Sequence, residues 1–243
     1  MSDFMLTLGD YTVTREATAS KTAMISDGWL LSFAGDATTY YEVFNKAVPR
    51  LVGDAILDAA RIATVVDDTY REVREKRKAD VLGMYSFALS DEREFRRKGL
   101  RWVGPGVHAS ICERLDRWDR TEFMIGGQGE IVSVDAGGIE SHSQEGFYAI
   151  GIGDEAARHV LYRTYDENLD AATLGARLLH AKFSAEGAHV GRKSIVISME
   201  RSGKVRSAPP AVVDAILDRW RGVETRFTHH AAKRIERAWS ECP

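Results

Sequence analysis

Apolar positions along this chain switch between a period of two and a period of three to four, and each switch marks an element. Ser26-Asp27-Gly28 is turn chemistry, Trp29 to Phe33 is a short run of apolar strand formers, and helical spacing starts at Thr38. Only Ala34-Gly35-Asp36 stands between strand and helix. The helical pattern continues through Tyr41, Phe44, Val48 and Leu51 and again through Ile56, Ala59, Ile62 and Val66, with Pro49 and Gly53 predicted to divide it into two helices. Val65 to Lys78 is densely charged with mixed sign, which predicts an exposed helix laced by pairs four residues apart. Residues 79–121 read as an insertion or cover. Glu122 to Val134 is strand, Gly126-Gly127-Gln128-Gly129 turn and strand, and Asp135 to Gln144 reads as a loop.

A second elbow follows. Phe147-Tyr148-Ala149-Ile150-Gly151 predicts a strand, and the helix over Asp154 to Tyr162 starts with acidic residues, as a helix dipole prefers. Asp170 to Ala185 predicts a further helix, Lys193 to Met199 a buried strand closed by an Arg201–Lys204 turn, and Val212 to Cys242 a basic helical tail after Pro209-Pro210. Strands are thus expected at 3–8, 20–25, 29–34, 122–126, 130–134, 147–151 and 194–199. Hairpin links mixed with pairs of helices point to an α+β fold, with helix layers covering stacked, largely antiparallel sheets.

Composition narrows the function classes. With 243 residues, 44% hydrophobic and 28% charged, the chain has the make-up of a soluble globular protein. A formal net charge of −3 gives no basic footprint for nucleic acid. No apolar run reaches membrane-spanning length and no secretory pattern opens the chain, so neither nucleic acid nor membrane is an expected partner and the cytoplasm is the expected compartment. Cys112 and Cys242 lie far apart without supporting histidines, which speaks against a disulfide framework or zinc site.

Candidate chemistry concentrates at the first elbow. A glycine at a helix start lets the backbone come close to another group, and free N–H donors there suit a developing anion, so Gly35 is a candidate oxyanion donor. Lys21 lies one short hairpin away. Gly151-Ile152-Gly153 lacks the third glycine and acidic ribose ligand of a dinucleotide fingerprint. His229-His230 point to different sides of a helix, Cys112 fits a buried structural thiol, and no Gly-x-Ser-x-Gly elbow occurs.

The order of these pieces resembles the N-terminal-nucleophile hydrolases of the proteasome type: proteasome β subunits and the proteolytic subunit of the bacterial two-component heat-shock protease. The pieces are Ser2-Asp3 with Leu6-Thr7-Leu8-Gly9, Lys21, Leu31 to Ala37, the Phe123–Val134 hairpin, and Phe147 to Gly153 before another helix. The resemblance implies a four-layer αββα sandwich, assembly into a homo-oligomeric ring, and amide hydrolysis without cofactor or metal by a chain-terminal threonine whose α-amine is the base. Carried over by position, Asp3 matches the family's aspartate, Lys21 its lysine and Gly35 its oxyanion glycine. Glu186 stands for a later aspartate and His189 for a serine.

In the family the nucleophile opens a strand that precedes the aspartate motif by about a strand and a turn. This alignment begins inside that motif, so the chain is expected to be a subunit lacking the first strand, with no threonine in place and Ile152 where the family has a serine. Three readings follow: a hydrolase whose nucleophile lies upstream, a non-catalytic ring or binding subunit, and a hydrolase in which loss of Met1 leaves Ser2 as an N-terminal nucleophile. The expected organisation is a proteasome-like domain over residues 1–208 with an insertion at about 65–121, and a helical tail over 209–243. The substrates that the resemblance implies are peptides, proteins or small amides.

Overall fold

The computed structural model describes residues 2–3, 5–8, 13–16, 21–52, 57–84, 91–186, 194–195, 197–199, 205–223 and 226. It forms two compact units, one built mainly from residues 21–151 and the other from the N-terminal residues with residues 152–200 and 205–243.

In the unit of residues 21–151, β4 (Thr22–Ser26), β5 (Trp29–Ala34), β6 (Glu122–Gly127), β7 (Glu130–Asp135) and β8 (Gly138–Ser141) form one five-stranded sheet in that spatial order, antiparallel throughout. Register explains the core. Phe33, Phe123 and Val134 form one cross-strand row and Leu31, Ile125 and Val132 the next, so one sheet face is a block of large apolar side chains. Two helices cover it, α1 (Ala37–Leu51) through Tyr40, Val43 and Ala47 and α2 (Ala59–Met84) through Ile62, Val66, Tyr70 and Val73. The Phe33 and Tyr40 rings stack at 4.1 Å. A satellite core of Val81, Leu82, Phe95, Ile111 and Leu115 joins the end of α2 to α3 (Glu92–Val103) and α4 (Pro105–Asp116).

The other unit holds three two-stranded antiparallel pairs. β1 (Ser2–Asp3) pairs with β9 (Ser194–Ile195), β2 (Met5–Leu8) with β3 (Val13–Glu16), and β10 (Ile197–Met199) with β11 (Val205–Ser207). Its helices are α5 (Asp154–Thr164), α6 (Ala171–Ala185) and a helix over residues 210–223. Leu179 of α6 packs with Val213 and Leu217 of that last helix. Every described strand pair is antiparallel, so the α+β class holds.

Several elements differ from the sequence expectation. Pro49 does not end α1, which runs on to Leu51; in the last turn a proline gives up one hydrogen bond without losing the helix. Two expected helices merge into α2, 26 residues long, because its apolar positions keep helical spacing from Ile62 to Val73 beneath the charges. Residues 147–151 form no strand despite their apolar content. The sheet instead ends on β8, an edge strand whose exposed residues carry no alternation to read. β3 likewise escaped notice because Val13-Thr14-Arg15-Glu16 is largely polar.

Candidate functional site

The β4–β5 hairpin brings two of the sequence candidates to one end of the sheet. The Phe33 amide donates to the Lys21 carbonyl at 3.1 Å, so half-buried Lys21 stands opposite a residue two positions before Gly35. Gly35 itself adopts φ +102, a region that side chains rarely occupy. A Cβ there would lie 2.7 Å from the Arg120 carbonyl oxygen and 2.8 Å from Thr121 Cα. Both facts demand glycine, and the second is a demand of packing: the elbow is pressed against the backbone that enters β6.

Asp36 caps α1. Its Oδ2 accepts from the Thr39 amide at 3.0 Å and from the Thr38 and Thr39 hydroxyls at 2.6 and 2.7 Å, while its own amide donates to Thr121 Oγ1 at 3.3 Å. Arg77 of α2 adds a donor to the same carboxylate at 3.0 Å. Burial alone would raise the Asp36 carboxyl, but the threonine hydrogen bonds and the Arg77 charge outweigh it and hold it below its ordinary value. The helix N-terminus expected to present free donors to an anion therefore already holds one, its own side chain. Nearby, burial pushes Tyr40 up to about 12, and its hydroxyl has no partner among the described residues.

Ser2 and Asp3 form β1, opposite Ile195 and Ser194 of β9. Glu186 follows α6 and is engaged by Arg221 at 2.7 Å and by Lys182 at 3.5 Å. His189 and His229-His230 lie outside the described residues. Cys112 Sγ sits 3.8 Å from the His108 ring, and burial pushes its thiol up, with Asp116 and Glu92 adding to the rise and Arg96 opposing it. That is the setting of an unreactive thiol. At the second elbow Gly151 has φ +94, and Gly153 starts α5 without a side-chain cap.

One cluster was not anticipated. The carboxylates of Glu92, Asp116 and Asp119 converge to metal-ligand distances, yet Lys78 bridges Glu92 and Asp119 at 3.1 and 2.6 Å, and Arg96 reaches Asp116 at 2.5 Å. Lysine and arginine already neutralise it. The charged run Arg71 to Lys78 hid this, since Arg74, Arg77 and Lys78 expose only 18%, 19% and 13% of their side chains. These three face neighbouring elements, against the expectation of a wholly solvated face. Among the described residues no helix is long and apolar enough to cross a membrane.

Among solved structures similar to this chain is a Gly-1 mutant of Anbu from Hyphomicrobium sp. strain MC1, with a TM-score of 0.59 and 14% identity over 99% of this chain and 91% of that one. A second Anbu structure from the same strain gives a TM-score of 0.58 and 14% identity, covering 100% and 92%. No protein-family model and no curated protein matches the chain. At this identity the likeness shows the fold alone: the chain is built on an architecture similar to that of the Anbu structures.

The narrower expectation, a proteasome β subunit or heat-shock protease subunit without its first strand, is overturned. Both Anbu structures align along at least 99% of this chain and 91% of their own length. The β2–β3 hairpin also occupies the stretch that the alignment had treated as the inside of a motif. The alignment erred because glycine elbows and apolar hairpins arise wherever helices pack on antiparallel sheets, so they recur throughout a fold without separating its branches.

Proposed function

We propose that the chain is a proteasome-like N-terminal-nucleophile hydrolase of peptide or other amide bonds, with Ser2 as nucleophile after removal of Met1. One observation carries this reading: in a fold like that of Anbu, the strand β1 opens on Ser2. Loss of Met1 gives Ser2 a free α-amine able to serve as base for its own hydroxyl, which is otherwise a weak nucleophile. The roles carried over by sequence position from the proteasome-type resemblance are Lys21 as the charge that eases proton loss and the Gly35 amide as the oxyanion donor.

Moving the nucleophile to Ser2 changes the acidic assignments. Asp3 then adjoins the nucleophile and does not follow it by a strand and a turn; the acidic residues that come after β2 are Asp10 and Glu16, the latter ending β3. Glu186, already engaged by Arg221 and Lys182, takes a structural role. In this reading the fold is the four-layer αββα sandwich, copies close into a homo-oligomeric ring in the cytoplasm, and the reaction calls on no cofactor.

The test is hydrolysis of fluorogenic peptide amides by purified protein whose intact mass shows Met1 removed. Ser2→Ala is expected to abolish turnover and leave sedimentation unchanged. A second reading, a non-catalytic ring subunit, is favoured by the elbow itself, because packing on Arg120–Thr121 and capping by Asp36 account for its residues without chemistry. A ring in sedimentation with an inactive wild type selects that reading; a monomer removes the ring from both.

A further inference from the structure

We propose that Arg77 is a positioning residue for the Gly35 amide, an inference that rests on the hydrolase reading. Arg77 lies 42 residues along the chain from Gly35, inside the charged run of α2. Its guanidinium spans the cap and the first two turns of α1: Nη1 donates to Asp36 Oδ2 at 3.0 Å, Thr39 Oγ1 at 2.8 Å and Thr38 Oγ1 at 3.2 Å. Nη2 and Nε donate to Glu42 Oε2 at 2.9 and 3.2 Å. With its side chain 19% exposed and five hydrogen bonds in one fork, the group is held tightly and shielded from screening.

Residue 36 is thereby fixed from two directions. Arg77 grips its carboxylate from α2, and buried Thr121 accepts from its amide at the entrance to β6. Gly35 is trapped between that grip and the Arg120–Thr121 backbone it touches. An oxyanion donor works by being aimed before charge develops, so whatever fixes the peptide planes on either side of residue 35 sets its value. Arg77 acts through Asp36 and not on the substrate. Its role is positional, and it requires the planar fork: a lysine ammonium is a point charge that cannot hold the Asp36 and Glu42 arms together.

The experiment uses the protein with Arg77→Lys and Arg77→Met, and Arg77→Ala for chemical rescue, read by hydrogen exchange of peptides covering residues 30–40 and by steady-state hydrolysis of a fluorogenic peptide amide. Exchange across Gly35 and Asp36 is expected to quicken in both variants, with kcat falling roughly ten- to a hundredfold and KM nearly unchanged. Added methylguanidinium is expected to restore part of kcat in Arg77→Ala. If Arg77→Met does not fold, Arg77→Lys, which keeps the charge, decides alone. An active wild type whose kcat or exchange does not respond to Arg77→Lys overturns the positioning role by itself. An inactive wild type overturns the hydrolase reading, and the role of Arg77 with it.

Discussion

The two glycine elbows look alike on paper and are built differently. At Gly35 a paired strand, β5, leads into a helix capped by the Asp36 side chain and gripped by Arg77 and Thr121. At Gly151 the preceding residues form no strand, and α5 starts at Gly153 with no side-chain cap, stabilised in its first turn by Asp154, Glu155 and the Asp154–Arg158 pair. Tyr148 holds that approach by stacking on His142 at 3.5 Å and donating to Glu122 at 3.1 Å. A glycine between apolar residues and a helix therefore says little until the partners of its neighbours are known. Rigidity at Gly35 comes from residues 42 to 86 positions away along the chain.

Gly35→Ala should break the comparison most sharply. A methyl group 2.7 Å from a carbonyl oxygen at φ +102 combines overlap with backbone strain, and urea unfolding should show a loss of about 3 kcal/mol or more. Gly151→Ala meets only Ala34 Cβ at 3.1 Å, at φ +94, and should cost about 1–2 kcal/mol. Equal losses would show that the two elbows are held alike.

Asp36→Ala comes between these two, at about 2 kcal/mol for a lost cap and a partly orphaned Arg77. It also sets a pH dependence. The folded-state pKa of Asp36 is depressed, so its contribution is complete above the unfolded-state value of about 4 and disappears as pH falls through the folded value. Acid titration of stability should therefore be shallower in Asp36→Asn than in wild type below about pH 4. A parallel pair of curves would remove the capping argument.

Tyr40→Phe should be neutral or stabilise by up to about 1 kcal/mol, since the buried hydroxyl it deletes has no partner among the described residues. Gly153→Ser, which offers α5 a cap oxygen, should add only a few tenths of a kcal/mol, roughly, in thermal unfolding. A gain there as large as the loss at Asp36 would mean that α5 depends on its cap as α1 does.

The sequence made the centre of the fold readable because its signals were local. Trp29 to Phe33, the Phe123–Val134 hairpin and the α1 pattern each carry period and turn together, and all three appear where expected. β3 and β8 were hidden because polar edge strands have no apolar alternation, and 147–151 misled because apolar content does not guarantee a strand partner. At the candidate site Lys21 and Gly35 were placed together by the hairpin length alone. Arg77 was illegible, since nothing local distinguishes it from Arg71 or Arg74; its meaning depends on a helix packing against α1. The missing-strand expectation came from fixing the alignment on Asp3, an acidic residue matched by type before its spacing from a nucleophile was tested.

The central claim, an N-terminal serine nucleophile, is tested most directly by treating the purified protein with a peptide electrophile that captures an amine and hydroxyl on the same residue and reading the N-terminal peptide by mass spectrometry. The account predicts Met1 absent, one adduct on Ser2, and no adduct in Ser2→Ala or Lys21→Ala. Retained Met1, or an unmodified Ser2 in a folded wild-type protein, would contradict it.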